Sequence, residues 1–195
     1  MSVALAKQEL STGSIPDTAQ FHEALAALEG RVHSLEKSQP EDCLSMVVFS
    51  GDYDKLLAAF VVATGAAAMG SDVNMFFTFW GLSAIKKQRI YRGKSLLEKM
   101  LAFMLPKGPN HVPTSNMNMG GIGPRFFDVM MKKKNVQKLT DLIDLARDLD
   151  VTFQACQMSM DVMAITKEEL IDDIAYCGVA GFLGDADRSR ITLFI

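Results

Sequence analysis

The chain has 195 residues, of which 49% are hydrophobic and 22% charged, and its formal net charge is -3. This length suits one domain with a sizeable core and a short appended element, and the composition excludes a chain that is disordered throughout. The slight negative charge gives no electrostatic reason to expect binding to nucleic acid or to acidic membranes.

The first 42 residues are predicted to lie outside the main domain. Residues 1–16 are polar and end in Pro16, which predicts a flexible tail. Residues 17–37 carry apolar side chains at alternating spacings of four and three, as in a short heptad seam. The seam consists of Phe21, Leu25, Leu28, Val32 and Leu35. This helix either packs on its own domain or joins copies of the chain, and the pattern leaves both alternatives open.

Two apolar segments then predict a β-α-β unit. The segment CLSMVVFS (43–50) is continuously apolar, as a strand buried on both faces is, and a helix from about 53 to 69 separates it from a second strand, DVNMFFTFWG (72–81). The uncharged stretch 56–70 also raises the possibility of a membrane segment. A spanning helix needs roughly 20 apolar residues, so we expect a buried helix and strand and no membrane association.

The rest of the chain continues the alternation of helices and strands. The predicted elements are a helix over 94–105, a long loop over 106–124, an amphipathic helix over 125–149, a third strand over 151–155, helices over 167–177 and within 178–189, and a terminal strand over 191–195. This order predicts an α/β fold, of the three-layer α/β/α type, with an open, mainly parallel five-stranded sheet and an N-terminal helical extension. Four of the five strands are located by the sequence, and the domain is expected to span 43–195.

The segments that follow these strands carry the candidate site residues. In open parallel sheets, ligands bind beyond the carboxyl ends of the strands, so residues at that edge are expected to meet. Cys156 directly follows the third strand, at the start of a predicted helical turn whose free N–H groups favour a thiolate. The candidate binding residues after the first two strands are Ser50, Gly51, Asp52, Trp80 and Gly81.

The three cysteines are not equivalent. Cys43, Cys156 and Cys177 form neither a CxxC pair nor a zinc-ligand spacing, and their odd number does not suit a disulfide framework, which favours a reducing cytoplasm. The N-terminus also lacks a secretion-signal pattern, so we expect a cytoplasmic protein. Cys156 is either a reactive thiol or a small core residue among methionines, whereas Cys43, at the opposite edge, and Cys177, at a helix end, are predicted to be structural.

Several segments together resemble the DsrE/DsrF-like family, in particular its DsrE-related branch, which is often labelled peroxiredoxin-like. These are SGDYDK, ATGAAAMGSDVNMFFTFWGL, SNMNMGGIG, ACQMSMDVM and YCGVAGFLGDADRSRITLFI, and the resemblance covers about residues 43–195. It implies a layered α/β/α domain with a parallel sheet, usually oligomeric, that takes part in intracellular sulfur relay. Family members carry sulfur as a cysteine persulfide or a thiosulfonate.

The resemblance maps the reactive cysteine of this branch onto Cys156. Other relatives carry their cysteine on an earlier loop, and the corresponding loop SNMNMGGIG has none. We expect Asn118, Gly120 and Gly121 of this loop to help bind the substrate, with glycines letting the backbone approach it. Met158 is expected to line the site and keep water from a bound persulfide.

The predicted function is therefore that of an intracellular sulfur carrier or sulfurtransferase, with no metal and no cofactor. Its implied partners are a TusA-like sulfur carrier, a rhodanese-type sulfurtransferase and further copies of the chain. Whether the protein is an enzyme is left open. The alternative is a non-enzymatic assembly or regulatory subunit of a sulfur-metabolism complex, joined partly through the N-terminal helix. Peroxidase activity is not expected, because no resolving cysteine is evident and no TxxC motif is present.

Overall fold

The computed structural model describes residues 18–116 and 122–195, with five strands and seven α-helices in those ranges. The strands are β1 (Glu41–Val48), β2 (Asp72–Phe77), β3 (Thr152–Cys156), β4 (Ala175–Cys177) and β5 (Ser189–Phe194). The helices are α1 (Thr18–Ser38), α2 (Tyr53–Ala68), α3 (Leu96–Met104), α4 (Ile122–Lys133), α5 (Leu139–Asp148), α6 (Gln157–Val162) and α7 (Val179–Arg188). Short 3-10 helices occupy Phe79–Ile85, Pro109–His111 and Lys167–Glu169.

The five strands form one sheet in the order β4-β3-β2-β1-β5, and every neighbouring pair is parallel. Helices cover both faces of this sheet, which confirms the predicted three-layer α/β/α fold and the N-terminal helical extension. Since all strands run the same way, their carboxyl ends lie along one edge. The sheet belongs to a unit formed by Pro40–Ile195, and the described residues from Thr18 to Gln39 belong to a second unit.

The two faces of the sheet differ in how much apolar packing they hold. The main core lies on the face where α2 and α5 pack, and it includes Met46, Met75 and Phe153 from three adjacent strands. The opposite face, against which α7 packs, holds a small cluster of Phe76, Cys156 and Phe182. Alternate residues of a strand point to opposite faces, so Ala155 belongs to the main core while the next residue belongs to the small cluster.

The predicted second strand is too long at its carboxyl end. The structure ends β2 at Phe77, and the chain then enters the 3-10 helix Phe79–Ile85. Gly81 makes this turn possible: its N–H donates to the Phe49 carbonyl at 2.9 Å, and a Cβ at this glycine would lie 2.0 Å from the Val48 carbonyl oxygen. The predicted strand therefore stops where the backbone packs directly against the end of β1.

The single helix predicted over 125–149 is wrong, because the structure has two helices there, α4 and α5. The chain reverses at Asn135, which has φ +55°, and the Val136 N–H donates to the Met131 carbonyl at 2.9 Å. Asparagine is among the few residues that adopt this left-handed conformation readily and so ends helices. The helical spacing of apolar residues in the sequence continues across Asn135, so the sequence pattern does not indicate the turn.

The helix predicted over 167–177 is also wrong. Only Lys167–Glu169 is helical, as one 3-10 turn, and Ala175–Cys177 forms β4. Leu170 forms an antiparallel bridge with Lys86, and the Ile171 N–H donates to the Ile85 carbonyl at 2.9 Å. These contacts with a distant segment hold the chain extended and lead it into the sheet. Cys177 consequently ends a strand, not a helix.

The helix α1 forms most of the described part of its own unit. Its bounds agree with the predicted helix, and the apolar residues of its seam are all exposed, between 40% for Leu25 and 61% for Leu35. Residues 1–16, predicted as a flexible tail, lie outside the described residues. None of the helices in the two described ranges has the length and apolar character that a membrane crossing requires.

A cluster of buried charges ties the segment before β4 to the segment after the 3-10 helix of 79–85. The Lys94 ammonium donates to both carboxylate oxygens of Glu169 at 2.9 Å, and Glu169 also accepts from the Ile90 and Thr166 N–H groups at 2.6 and 3.1 Å. Lys86 is buried nearby, and its ammonium has no hydrogen-bond partner among the described residues. Burial lowers the pKa of Lys86, although the Glu169 carboxylate opposes this change.

Replacing Gly81 by alanine is expected to destabilise the domain. The added Cβ overlaps the Val48 carbonyl, so the free energy of unfolding should fall by about 1–3 kcal/mol or more in urea titrations. Gly65→Ala is the matched control, because a Cβ at Gly65 in α2 meets no atom within 4 Å. It should stabilise the protein by about 0.5–1 kcal/mol. Equal effects of the two substitutions would contradict the close contact at Gly81.

Replacing each of the two buried lysines by methionine is expected to change the stability of the protein in different directions. Lys94→Met leaves the buried Glu169 carboxylate without its ion-pair partner, so the free energy of unfolding should fall by about 3–5 kcal/mol. Lys86→Met removes a desolvated charge that has no hydrogen bond in the described structure, so stability should stay unchanged or rise. Thermal unfolding followed by circular dichroism measures both. A larger loss for Lys86→Met than for Lys94→Met would refute the assignment.

Candidate functional site

The turn after β1 and the turn after β2 pack against each other at the carboxyl edge of the sheet. The Gly51 backbone meets Trp80 so closely that an added Cβ would lie 2.8 Å from the Trp80 carbonyl oxygen. Asp52 is the N-cap residue of α2, but its side chain makes no capping hydrogen bond. Its carboxylate instead accepts from the Ser50 hydroxyl at 3.0 Å and pairs with the Lys55 ammonium at 2.8 Å. Hydrogen bonds between side chains thus hold the turn of residues 50–55 together beside Trp80.

An open cavity of about 840 Å³ lies over these turns. The structure brings Ser50, Gly51, Asp52 and Trp80 of the predicted site into its wall. The remaining described lining residues are Phe49, Lys55, Ser83, Arg89, Leu101, Phe103, Met104, Leu105, Pro106, Lys107, His111 and Pro113. Three of these side chains are cationic and one lining residue is an aspartate, so the formal charge of the described cavity wall is positive.

A carboxylate on α2 holds the segment 112–116, which borders the cavity, through hydrogen bonds. Asp54 of α2 accepts hydrogen bonds from the N–H and the hydroxyl of Ser115 at 2.8 and 2.6 Å. Burial alone would raise the pKa of Asp54, but the two bonds from Ser115 outweigh burial, and the pKa lies below its ordinary value. The carboxylate therefore stays ionised and fastens the segment at 112–116 to the start of α2.

Cys156 lies at the predicted place, as the last residue of β3 and the N-cap residue of α6, but its side chain is 0% exposed. It packs in the small cluster with Phe76 and Phe182, whose rings stack with centroids 5.0 Å apart. It is not among the described residues that line the cavity, and neither are Gly81 and Met158. The structure therefore separates the predicted thiol from the predicted binding residues.

Cys177 lies beside Cys156. The last register pair between β3 and β4 is Cys156 with Cys177, and Cys177 packs against the cluster that contains Cys156. Its thiol donates to the Gln154 side-chain carbonyl at 3.4 Å, while the Gln154 amide donates to the Asp185 carboxylate at 2.7 Å. Burial, and next the negative charges of Asp185 and Cys156, raise the pKa of the Cys177 thiol. Unlike its neighbour, Cys177 is partly exposed.

The third cysteine is remote from this pair. Cys43 lies near the start of β1, is buried, and accepts a hydrogen bond from the Asn74 amide at 3.4 Å. Of the other predicted site residues, Met158 is 52% exposed, whereas Met160 is buried. Asn118, Gly120 and Gly121 lie outside the described residues. Among the residues that the structure describes, no three His, Cys, Asp or Glu side chains are grouped as metal ligands would be.

Sequence reasoning placed Cys177 at a helix end and so missed its position beside Cys156, because the segment 167–177 was predicted to be helical. A signal was present in AYC, which places an aromatic residue before a cysteine and is followed directly by a glycine, as at the end of a short buried strand. Three residues are too few for periodicity to distinguish a strand from a helix end. The pairing with β3 decides the matter.

Comparisons with known proteins agree with the sequence resemblance. A model of the DsrE/DsrF/DrsH-like family matches residues 40–194. YrkE, an uncharacterized protein of Bacillus subtilis (strain 168), is 44% identical over 152 residues, which cover 77% of this chain and 95% of YrkE. The sulfur carrier protein DsrE2 of Allochromatium vinosum (strain ATCC 17899) is 31% identical over 156 residues, which cover 78% of this chain and 97% of DsrE2.

Among solved structures, the ychN protein from E. coli matches 78% of this chain and 97% of its own, with 11% identity and a TM-score of 0.44. The family model covers most of the chain, including the whole parallel sheet and both thiols at its carboxyl edge. The chain therefore belongs to the DsrE/DsrF/DrsH-like family.

Proposed function

We propose that this protein is a sulfur carrier that holds sulfane sulfur, or a thiosulfonate group, on Cys156 and passes it to an acceptor thiol. The observation that carries the proposal is the position of Cys156, which ends a central strand at the carboxyl edge of a parallel sheet. The relative from Allochromatium vinosum, which is named a sulfur carrier protein, supports the sulfur-relay role. A TusA-like carrier and a rhodanese-type sulfurtransferase are the proposed partners.

The surroundings of Cys156 suit storage of a reactive sulfur. A persulfide is lost when other thiolates attack it, and attack requires access. Phe76 and Phe182 enclose the thiol on the face covered by α7. A buried persulfide would therefore persist until a specific thiol reaches it. The same burial means that loading needs a route to Cys156, since no part of its side chain is exposed.

Sulfur loading on Cys156 can be followed by mass spectrometry, because trypsin separates the cysteines. Cys43, Cys156 and Cys177 fall in peptides 38–55, 148–167 and 168–188, respectively. After incubation with inorganic polysulfide, peptide 148–167 should gain about 32 Da, the mass of one persulfide sulfur. Transfer to a TusA-like acceptor should fall at least about tenfold in Cys156→Ser, since the carrying nucleophile is gone.

The matched control is Cys43→Ser, because Cys43 is also buried but lies near the amino end of β1. This variant should load and transfer sulfur as the unsubstituted protein does. The proposal would be contradicted if peptide 148–167 never gained mass and if Cys156→Ser still transferred sulfur.

A second candidate function is that of a non-enzymatic assembly or regulatory subunit. The observation that favours it is the apolar seam of α1, whose side chains are exposed along the length of the helix. Exposed apolar residues at heptad spacing are typical of helices that associate with a like helix. In this alternative, α1 joins copies of the chain and the thiols have no transfer role.

Sedimentation of a chain that begins at Pro40 tests the role of α1. Residues 40–195 form their own unit, so the truncated protein should fold. If α1 joins copies of the chain, the sedimentation coefficient should fall to that of a smaller assembly, with an unchanged circular dichroism signal per sheet domain. An oligomer of unchanged subunit number would remove the support for this function.

A further inference from the structure

Cys177 is the one neighbour of Cys156 that shares its chemistry. The two residues are register partners at the last position of two parallel strands, and partners of this kind point to the same face of a sheet. Both pack in the same small cluster. The two cysteines lie on separate strands that are not adjacent in the sequence, and the pairing of β3 with β4 brings them together.

The spacing of the two strands suits sulfur transfer between the thiols. Neighbouring strands lie about 4.8 Å apart. In thiolate attack on a persulfide, the outer sulfur lies between the attacking and the leaving sulfur, so these two are separated by about twice the S–S bond length, or roughly 4 Å. Side chains of register partners reach such a separation by rotation about χ1, without any change in the backbone.

Exposure distinguishes the roles of the two thiols. Cys156 is 0% exposed, whereas Cys177 is partly exposed. The residue after Cys177 is Gly178, and a Cβ at that glycine would meet no atom within 4 Å, so the backbone there faces open space. Cys177 is therefore partly open to an external donor, whereas Cys156 is closed to one.

We propose that Cys177 is a second sulfur-handling residue, which receives sulfur from an external persulfide and relays it to the buried Cys156. This inference rests on the proposed function and adds the route by which Cys156 is loaded and unloaded. It differs from the prediction that Cys177 has only a structural role.

The relay takes two balanced steps. The Cys177 thiolate attacks the outer sulfur of a low-molecular-weight persulfide, a Cys177–sulfur bond forms, and the donor leaves as its thiolate. The Cys156 thiolate then attacks that outer sulfur, the new bond to Cys156 forms as the bond to Cys177 breaks, and the electron pair leaves on Cys177. The proton of the persulfide stays on the transferred sulfur, and no external oxidant or reductant is consumed.

The surroundings of Cys177 slow the first step at neutral pH. Burial, and next Asp185 and Cys156, raise the pKa of the Cys177 thiol. Because only the thiolate attacks a persulfide, the initial loading rate should rise with pH.

Loading by glutathione persulfide tests the relay, because this donor is too large to enter the closed cluster around Cys156. In Cys177→Ser, the initial rate of sulfur gain on peptide 148–167 should fall at least about tenfold, while Cys43→Ser should keep the unsubstituted rate. In Cys156→Ser, peptide 168–188 should gain sulfur at its unsubstituted initial rate. Unchanged loading of peptide 148–167 in folded Cys177→Ser would overturn the relay and leave the proposed function intact.

A time course on the unsubstituted protein decides the matter if Cys177→Ser does not fold. Quenching with an alkylating agent at short times should show the adduct on peptide 168–188 first and on peptide 148–167 later. Loading of 148–167 before 168–188 would overturn the relay. Failure of the proposed function gives a different result, because peptide 148–167 then gains no sulfur at any time in the unsubstituted protein.

Discussion

The parallel pairing of β3 with β4 is the contact on which the thiol site depends. Each of the two strands carries one cysteine at its carboxyl end, and without the pairing neither thiol would lie next to another thiol. Pairing in this register makes Cys156 and Cys177 neighbours and gives one of them access to solvent. A shift by one residue would point one thiol to the other face of the sheet, because side chains alternate along a strand.

The short strand β4 is held in place by charges that lie far from it in sequence. Three residues contribute few ladder hydrogen bonds, so the chain that leads into β4 must be fastened elsewhere. Glu169 accepts hydrogen bonds from Ile90, Lys94 and Thr166, and the bridge between Lys86 and Leu170 continues this attachment. A buried ion pair is costly to form and costly to break, so it specifies one arrangement of the connection. From this attachment the chain continues into β4, which ends at Cys177.

The carboxyl edge of the sheet carries two distinct chemical environments. Over β1 and β2 lies an open cavity with Lys55, Arg89 and Lys107 in its wall. Over β3 and β4 lie two thiols in a thin apolar layer beneath α7. The first environment is lined by cationic side chains, and the second is apolar. The predicted substrate-binding role of Ser50, Gly51, Asp52 and Trp80 stays a prediction, since the cavity that they line does not include Cys156.

By itself, the sequence determined the class of the fold, the order of most elements and the position of Cys156 at the end of a strand. Continuous apolar runs and glycine or aspartate turns are local features, and their physical causes lie within a few neighbouring residues. Only the tertiary structure decided that 125–149 breaks at Asn135, that 175–177 is a strand, that Cys156 is fully buried and that Cys177 lies beside it. These outcomes depend on hydrogen bonds and packing between segments distant in the chain, which no local pattern records.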